Sequence, residues 1–194
     1  MLKHNLVIFA SGNGSNAQAI IDFFREDSSV KISLIACNKP QAGVLQIAEK
    51  EGIPTLIIEK EPFFRGNAYV EEISALHPTL IILAGFLWKL PSALINAFPG
   101  QIINIHPALL PKYGGKGMYG LHVHEAVKAA GESETGITIH KVDEKYDHGT
   151  HIFQAVTPVS PDDTPDTIAK KVHQMEHQFY PRVIKDLLNQ TPRG

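Results

Sequence analysis

The chain has a single cysteine, Cys37, among its 194 residues. No internal disulfide can form, so the fold must hold without covalent staples, and a reducing compartment suits it. Charge of one sign is also lacking, since 18 Lys and Arg stand against 20 Asp and Glu. Such a balance lays down no broad electrostatic footprint for nucleic acid and points to small-molecule partners. Long hydrophobic runs are missing too. Polar residues, Gly or Pro interrupt each apolar segment well short of the ~20 residues that a membrane helix needs. The opening Met1-Leu2-Lys3-His4 leads straight into an apolar segment, with no basic region, long apolar core and cleavage site of a secretion signal. A cytoplasmic protein without a membrane partner is expected. The length suits one well-buried domain, 1–194, and is short for two. No repeat, linker or low-complexity segment divides it, and composition leaves a homodimer open.

What is present is rhythm. Short apolar runs at 6–10, 32–36, 55–58, 80–83 and 102–105 alternate with helical patterns at 16–25, 44–51, 67–76 and 91–97. Continuous apolar runs of this length suit strands buried on both faces, and their alternation with helices predicts an α/β fold on a parallel sheet. After Gly136 the pattern changes to two β-rich runs, 137–140 and 152–156, separated by a polar turn and read as an antiparallel addition. Asp163-Thr164-Pro165-Asp166 then supplies a cap, a first-turn proline and an early acid for a long helix to about Leu188. Residues 190–194 are expected to fray.

Two segments carry chemistry. Asn104-Ile105-His106-Pro107 ends an apolar strand with an amide and an imidazole two residues apart, and the proline stops the ladder. Side chains alternate along a strand, so Asn104 and His106 share a face at the carboxyl edge, where open parallel sheets bind ligands. One can donate a hydrogen bond while the other handles a proton, a pairing that suits acyl transfer. Earlier, Ser11-Gly12-Asn13-Gly14-Ser15-Asn16-Ala17 joins the first strand to a helix. Glycines there let backbone N–H groups approach an anion at the helix start, so a phosphate fits; a plain tight turn is the simpler reading. The spacing also matches the dinucleotide fingerprint, but the second strand ends Ala36-Cys37-Asn38-Lys39, with no acid for a ribose.

Ten histidines invite a metal reading. His173-Gln174-Met175-Glu176-His177 matches the inverted zincin pattern, with His173 and His177 on one helix face, yet it needs a further ligand from elsewhere. A solvated polar face is the blander account of the same residues. His122-x-His124 and His148-x-x-His151 are weaker still. In the turn Asp143 to Gly149, Asp147 either orients His106 and favours its protonated form, or merely makes the turn; sequence proximity leaves both open.

Taken together, Ser11 to Asn16, Leu83-Ala84-Gly85-Phe86, Asn104 to Tyr113, Asp147-His148-Gly149 and Glu176-His177 stand in the order seen in a known family. Over nearly its whole length the chain resembles the phosphoribosylglycinamide formyltransferases, of the folate-dependent formyltransferase superfamily. The resemblance implies a single Rossmann-like domain and transfer of a formyl group from 10-formyltetrahydrofolate to glycinamide ribonucleotide in purine biosynthesis, without a metal. By carry-over, Gly14, Ser15 and Asn16 hold the ribonucleotide phosphate and Glu176 contacts the ribonucleotide. Asn104 and His106 stabilise the oxyanion, His106 moves protons, and Asp147 positions His106 and raises its pKa. Leu87, Trp88, Lys89 and Leu90, with Asn104 and Arg65, fall in or beside the folate pocket. Departures are Trp88 where the family often has Arg, Arg65 beside the usual arginine position, His148 where glycine is commoner, and a longer loop at Gly115 to Gly120. That glycine-rich loop reads as a mobile flap. The lengths of methionyl-tRNA formyltransferases and formyltetrahydrofolate hydrolases, each with an added domain, suit this chain less well. A sugar-nucleotide formyltransferase is a minor alternative, as is a catalytically dead ribonucleotide-binding module, against which the presence of all the polar site residues argues.

Overall fold

A computed structural model describes residues 3–65 and 67–190, so all but the first of the terminal residues expected to fray lie outside it. Five strands run parallel: β1 (His4–Ala10), β2 (Val30–Cys37), β3 (Thr55–Ile57), β4 (Leu80–Leu83) and β5 (Ile102–His106). β6 (Glu134–Lys141) and β7 (His151–Pro158) add antiparallel pairings, as the change of rhythm after Gly136 predicts. One seven-stranded sheet results, in the order β3-β2-β1-β4-β5-β6-β7.

The order follows from burial. Leu6 to Ala10 and Leu80 to Leu83 are buried on both sides, so β1 and β4 occupy the centre. On one face Leu6, Ile8, Ile35, Ile82 and Ile103 meet α1 (Ser15–Phe24) and the long α7 (Pro165–Gln190). On the other, Val7, Phe9, Ile81 and Ile102 pack against Phe63, Ile73 and Leu94. These come from α3 (Lys60–Arg65), α4 (Val70–Ser74) and α5 (Ser92–Ala97). The apolar run 55–58 predicts a strand buried on both faces. Here β3 is a three-residue edge strand with Ile57 39% exposed, because only β2 pairs with it. The helix expected over 67–76 shrinks to α4, and α3 has no counterpart in the sequence pattern.

Caps fall where chemistry puts them. Gly52 closes α2 (Gly43–Glu51) at φ 66°, its N–H donating to the Ala48 and Glu49 carbonyls. Thr164 Oγ1 accepts from Thr167 N–H at the start of α7, with Pro165 in the first turn. Among the described residues no helix is long and apolar enough to cross a membrane.

Between β1 and β4 the chain changes direction across the sheet, running outward to β3 on one side and to β5 on the other. Loops leaving the carboxyl ends of these two strands diverge and open a crevice. The site lies there.

Candidate active site

The crevice is a cavity of about 620 Å³ lined by Ser11 to Asn16, Ala84 to Leu90, Asn104 to Pro107, Gly115 to Gly120 and residues of the β6–β7 turn and α7. At one wall Gly14 stands at φ 81° as the residue before α1, and a Cβ there would come within 2.8 Å of Val44 Cβ. Glycine is therefore required twice, by backbone angle and by space. Ser11 ties the crevice together. Its Oγ donates to Asn38 Oδ1 at 2.6 Å and accepts from Leu87 N–H at 2.9 Å, linking the ends of β1, β2 and β4. Asn38 thus takes the place where a dinucleotide fold wants an acid.

From α7, Glu176 reaches Asn16, whose Nδ2 donates to Glu176 Oε2 at 3.1 Å. The carboxyl is 5% exposed, and burial pushes it up from 4.5 to about 7 against that bond. His173 Nε2 lies 3.8 Å from the same oxygen. The His173 and His177 rings stack at 6.5 Å, and among the described residues no group of three or more His, Cys, Asp or Glu is placed to hold a metal ion.

β5 brings Asn104 and His106 to its carboxyl end, both lining the cavity as alternation requires. Antiparallel pairing sets His140 of β6 directly opposite Asn104, with Asn104 Nδ2 3.1 Å from His140 Nε2. His140 Nδ1 is 2.9 Å from the Lys141 carbonyl, which can only accept. The proton of neutral His140 therefore sits on Nδ1, Nε2 accepts from the amide, and the second N–H of Asn104 is free for a ligand. His106 is fixed in the opposite sense. Its Nε2–H donates to the Tyr113 carbonyl at 2.7 Å, leaving the Nδ1 lone pair towards Asp147 Oδ2, 3.6 Å away.

Asp147 converges on both imidazoles. Oδ1 lies 3.6 Å from His140 Nε2, and Oδ2 accepts from Gly115 N–H at 2.9 Å. Burial opposes its ionisation, yet the His140 and His106 rings and the Gly115 amide hold the carboxyl below the usual range. For His106 the direction differs from expectation. Asp147 does raise its pKa, with help from the Tyr113 carbonyl, but burial outweighs both and the imidazole ends below its ordinary value. At 3% exposure it loses more by desolvation than an aspartate beyond hydrogen-bond range returns.

Leu87, Trp88, Lys89 and Leu90 all line the cavity. Trp88 packs 5.4 Å from Phe64 and 5.8 Å from Phe63. Arg65 does not join them. Its side chain is 77% exposed, pairs with Glu61 at 3.4 Å, and lines a separate open depression on α3. Two lining histidines were not read as active-site residues from the sequence. His140 needs the β5–β6 register to be found. His124 lies on α6 (Leu121–Ala129), 1% exposed with Nδ1 unpartnered, and burial, then His173 and His106, pull it down to about 4.

A formyl transferase family model matches residues 4–184. The chain belongs to this family. Phosphoribosylglycinamide formyltransferase of Bacillus subtilis is 38% identical, with 96% of each chain aligned. The trifunctional purine biosynthetic protein adenosine-3 of Drosophila melanogaster is also 38% identical over 97% of this chain, which spans only 14% of that protein's length. The glycinamide ribonucleotide transformylase 1 structure from Geobacillus kaustophilus superposes with a TM-score of 0.86 at 34% identity, covering 96% of this chain and 99% of that one. This formyl transferase is thus a one-carbon group transferase, and its glycine loop, β5 pair and β6–β7 turn frame one cavity.

Proposed function

We propose that this formyl transferase moves the formyl group of 10-formyltetrahydrofolate onto the amino group of 5'-phosphoribosylglycinamide, in cytoplasmic de novo purine biosynthesis. The observation that carries the reading is the convergence of Asn104, His106 and Asp147 in the cavity that also contains the Gly14 to Asn16 helix start. The names of the relatives agree with it.

The ribonucleotide phosphate rests on the backbone N–H groups at the start of α1, where helix geometry leaves donors unpaired. Glu176 and Asn16 hold the neighbouring part of that substrate. The neutral amine attacks the formyl carbon and negative charge grows on oxygen, which the free N–H of Asn104 is set to receive. The new C–N bond leaves the amine with a surplus proton, and the bond from carbon to N10 of the folate must break. His106, neutral because it is buried, accepts that proton on Nδ1 beside Asp147, whose charge stabilises the imidazolium. The imidazolium then delivers it to the departing N10. Protons balance, and the chain's own residues perform each transfer.

Purified protein with both substrates, assayed with and without a chelator for folate release and for formylated ribonucleotide, tests the proposal. Chelator-insensitive, amine-dependent turnover is expected. Folate release without the amine would instead indicate a hydrolase, and loss of turnover with chelator would revive the zinc reading of His173 and His177.

A further inference from the structure

The loop that leaves β5 doubles back on it. Seven residues after His106, the Tyr113 carbonyl returns to accept the imidazole Nε2–H, so the chain itself supplies the group that fixes the ring. Tyr113 arrives there at φ 57°, a backbone angle that bulky residues rarely adopt and keep only where their surroundings hold them. Two sets of bonds do the holding. In the middle of the loop, Thr138 Oγ1 accepts from Leu110 N–H at 3.0 Å and donates to the Ala108 carbonyl at 2.7 Å, while Gln154 Nε2 donates to the Leu110 carbonyl at 3.0 Å. At its end, the Tyr113 hydroxyl donates to Glu132 Oε1 at 2.8 Å, and Lys112 Nζ donates to the same oxygen at 2.9 Å. Glu132 sits between α6 and β6, where its own N–H donates to the Val127 carbonyl at 3.4 Å. Its side chain is 23% exposed, and the Lys112 ammonium and the Tyr113 hydroxyl keep its carboxyl below the usual range. Lys112 and Tyr113 close the sequence motif that begins at Asn104. Neither they nor Glu132 line the cavity, and their side chains take no part in the steps proposed for formyl transfer.

We propose that Glu132 and the Tyr113 side chain are positioning residues for His106, a clamp that keeps the Tyr113 carbonyl on Nε2 and so selects the tautomer whose lone pair lies on Nδ1. The inference rests on His106 being the proton carrier of formyl transfer. A neutral imidazole has one N–H, and the hydrogen bond made by one ring nitrogen decides which of the two keeps it. Released from the carbonyl, His106 is free to hold its proton on Nδ1 and offer it to Asp147 Oδ2, 3.6 Å away. The lone pair then moves to Nε2, which faces the loop, and the surplus proton of the amine finds no acceptor beside Asp147. A carboxylate suits the clamp because a hydroxyl bonds it more strongly than a neutral acceptor. Lys112 turns that carboxylate towards the loop, and Glu134 adds its charge on the same ammonium.

Tyr113→Phe removes the hydroxyl alone, and Glu132→Ala removes its acceptor. Kinetics and imidazole nitrogen NMR shifts are measured for both, for the double variant and for Glu132→Gln, with the His106 signal assigned from its absence in His106→Asn. The shifts separate the two tautomers, a reading that loss of stability alone would not move. Wild-type His106 should carry its proton on Nε2, and both single variants should populate the Nδ1–H form. Each should lose roughly 10- to 100-fold in kcat, the cost of a misplaced proton carrier, with both KM values within about twofold of wild type. The double variant should lose no more than the worse single one, because the two side chains share one bond. Glu132→Gln keeps an acceptor oxygen and should recover most of the rate. The Tyr113 carbonyl also favours the protonated ring, so the acid limb of the rate profile should move to lower pH in the single variants; Asp147, His140 and His124, the other titrating groups that act on His106, are unaltered in them. A wild-type proton on Nδ1, an unchanged tautomer and acid limb in Tyr113→Phe, or additive losses in the double variant would each overturn the clamp. Failure of wild type to formylate the amine would instead remove the functional reading beneath it, and the tautomer measurement would still decide the clamp.

Discussion

The two walls of the cavity are built on different principles. At the β1–α1 wall the groups proposed to bind the phosphate are backbone amides, beside a glycine at φ 81° and braced by Ser11 and Asn38. At the β5–β6 wall the groups proposed to carry out the chemistry are side chains paired across antiparallel strands and tied by one aspartate: Asn104 to His140, and both imidazoles to Asp147. Backbone donors cannot titrate and are removed only by distorting the chain. The paired side chains respond to pH and to single substitutions. The contrast teaches that binding of the anion and movement of the proton should fail separately.

The largest effects belong to the paired wall. Asp147→Asn keeps the shape but removes the charge that favours the His106 imidazolium, and a general acid–base contribution of about 10²- to 10⁴-fold in kcat is at stake. The pH profile has a definite sign. In the proposed mechanism neutral His106 accepts the proton, so activity should fall as pH drops through its pKa; without Asp147 that pKa moves lower still, and the acid limb should shift to lower pH. An unshifted limb in rate measurements would break the link between the two residues. Asn104→Ala should lose about 10²- to 10³-fold in kcat by removing the proposed oxyanion donor, with ribonucleotide binding, measured by calorimetry, kept.

Glu176, which holds Asn16 at the β1–α1 wall, carries a cost in stability. Its carboxyl titrates near 4.5 when unfolded and about 7 when folded. Below pH 4.5 both states hold the proton; between the two values the unfolded chain releases it first, so stability falls as pH rises and the whole penalty is present above 7. Glu176→Gln should therefore raise unfolding free energy by roughly 2–3 kcal/mol at pH 8 and change it little at pH 4. Ribonucleotide affinity should weaken in the same protein. Denaturant melts at the two pH values check the first part; equal gains at both would show that the carboxyl is not ionised against its burial.

Gly14→Ala attacks the backbone wall. An alanine at φ 81° is strained and its Cβ meets Val44, so a loss of about 1–3 kcal/mol is expected, shared between stability and phosphate affinity. Single-turnover rates with saturating substrates should stay near wild type, since the β5–β6 pairs are untouched. A matching fall in that rate would erase the distinction between the walls.

How far the sequence foretold this depends on the kind of signal. Leu80 to Leu83 is buried on both faces, and its continuous apolar run gives β4 at the bounds read from sequence. Asn104 and His106 were legible because a period-two pattern ending in proline fixes both direction and edge. α6 was not, since only Leu121, Val123 and Val127 carry its apolar pattern, after a run of glycines. His140 was invisible for another reason: its partner is set by the register of β6 on β5, a tertiary fact. Likewise the turn holding Asp147 at φ 50° decides which group the carboxylate meets, and burial decides the net direction for His106.

The smallest expected effect concerns Arg65, the residue that family resemblance places beside the folate pocket and the fold turns away. Its side chain is 77% exposed, pairs with Glu61 and lines a separate depression on α3, outside the cavity. Arg65→Ala should thus change donor KM by less than about twofold, the range of an exposed surface substitution. Reversing the charge should do little more, because solvent screens a side chain that stands outside the cavity. A donor KM raised tenfold in steady-state assays would instead mean that α3 brings its arginine to the cavity when folate arrives.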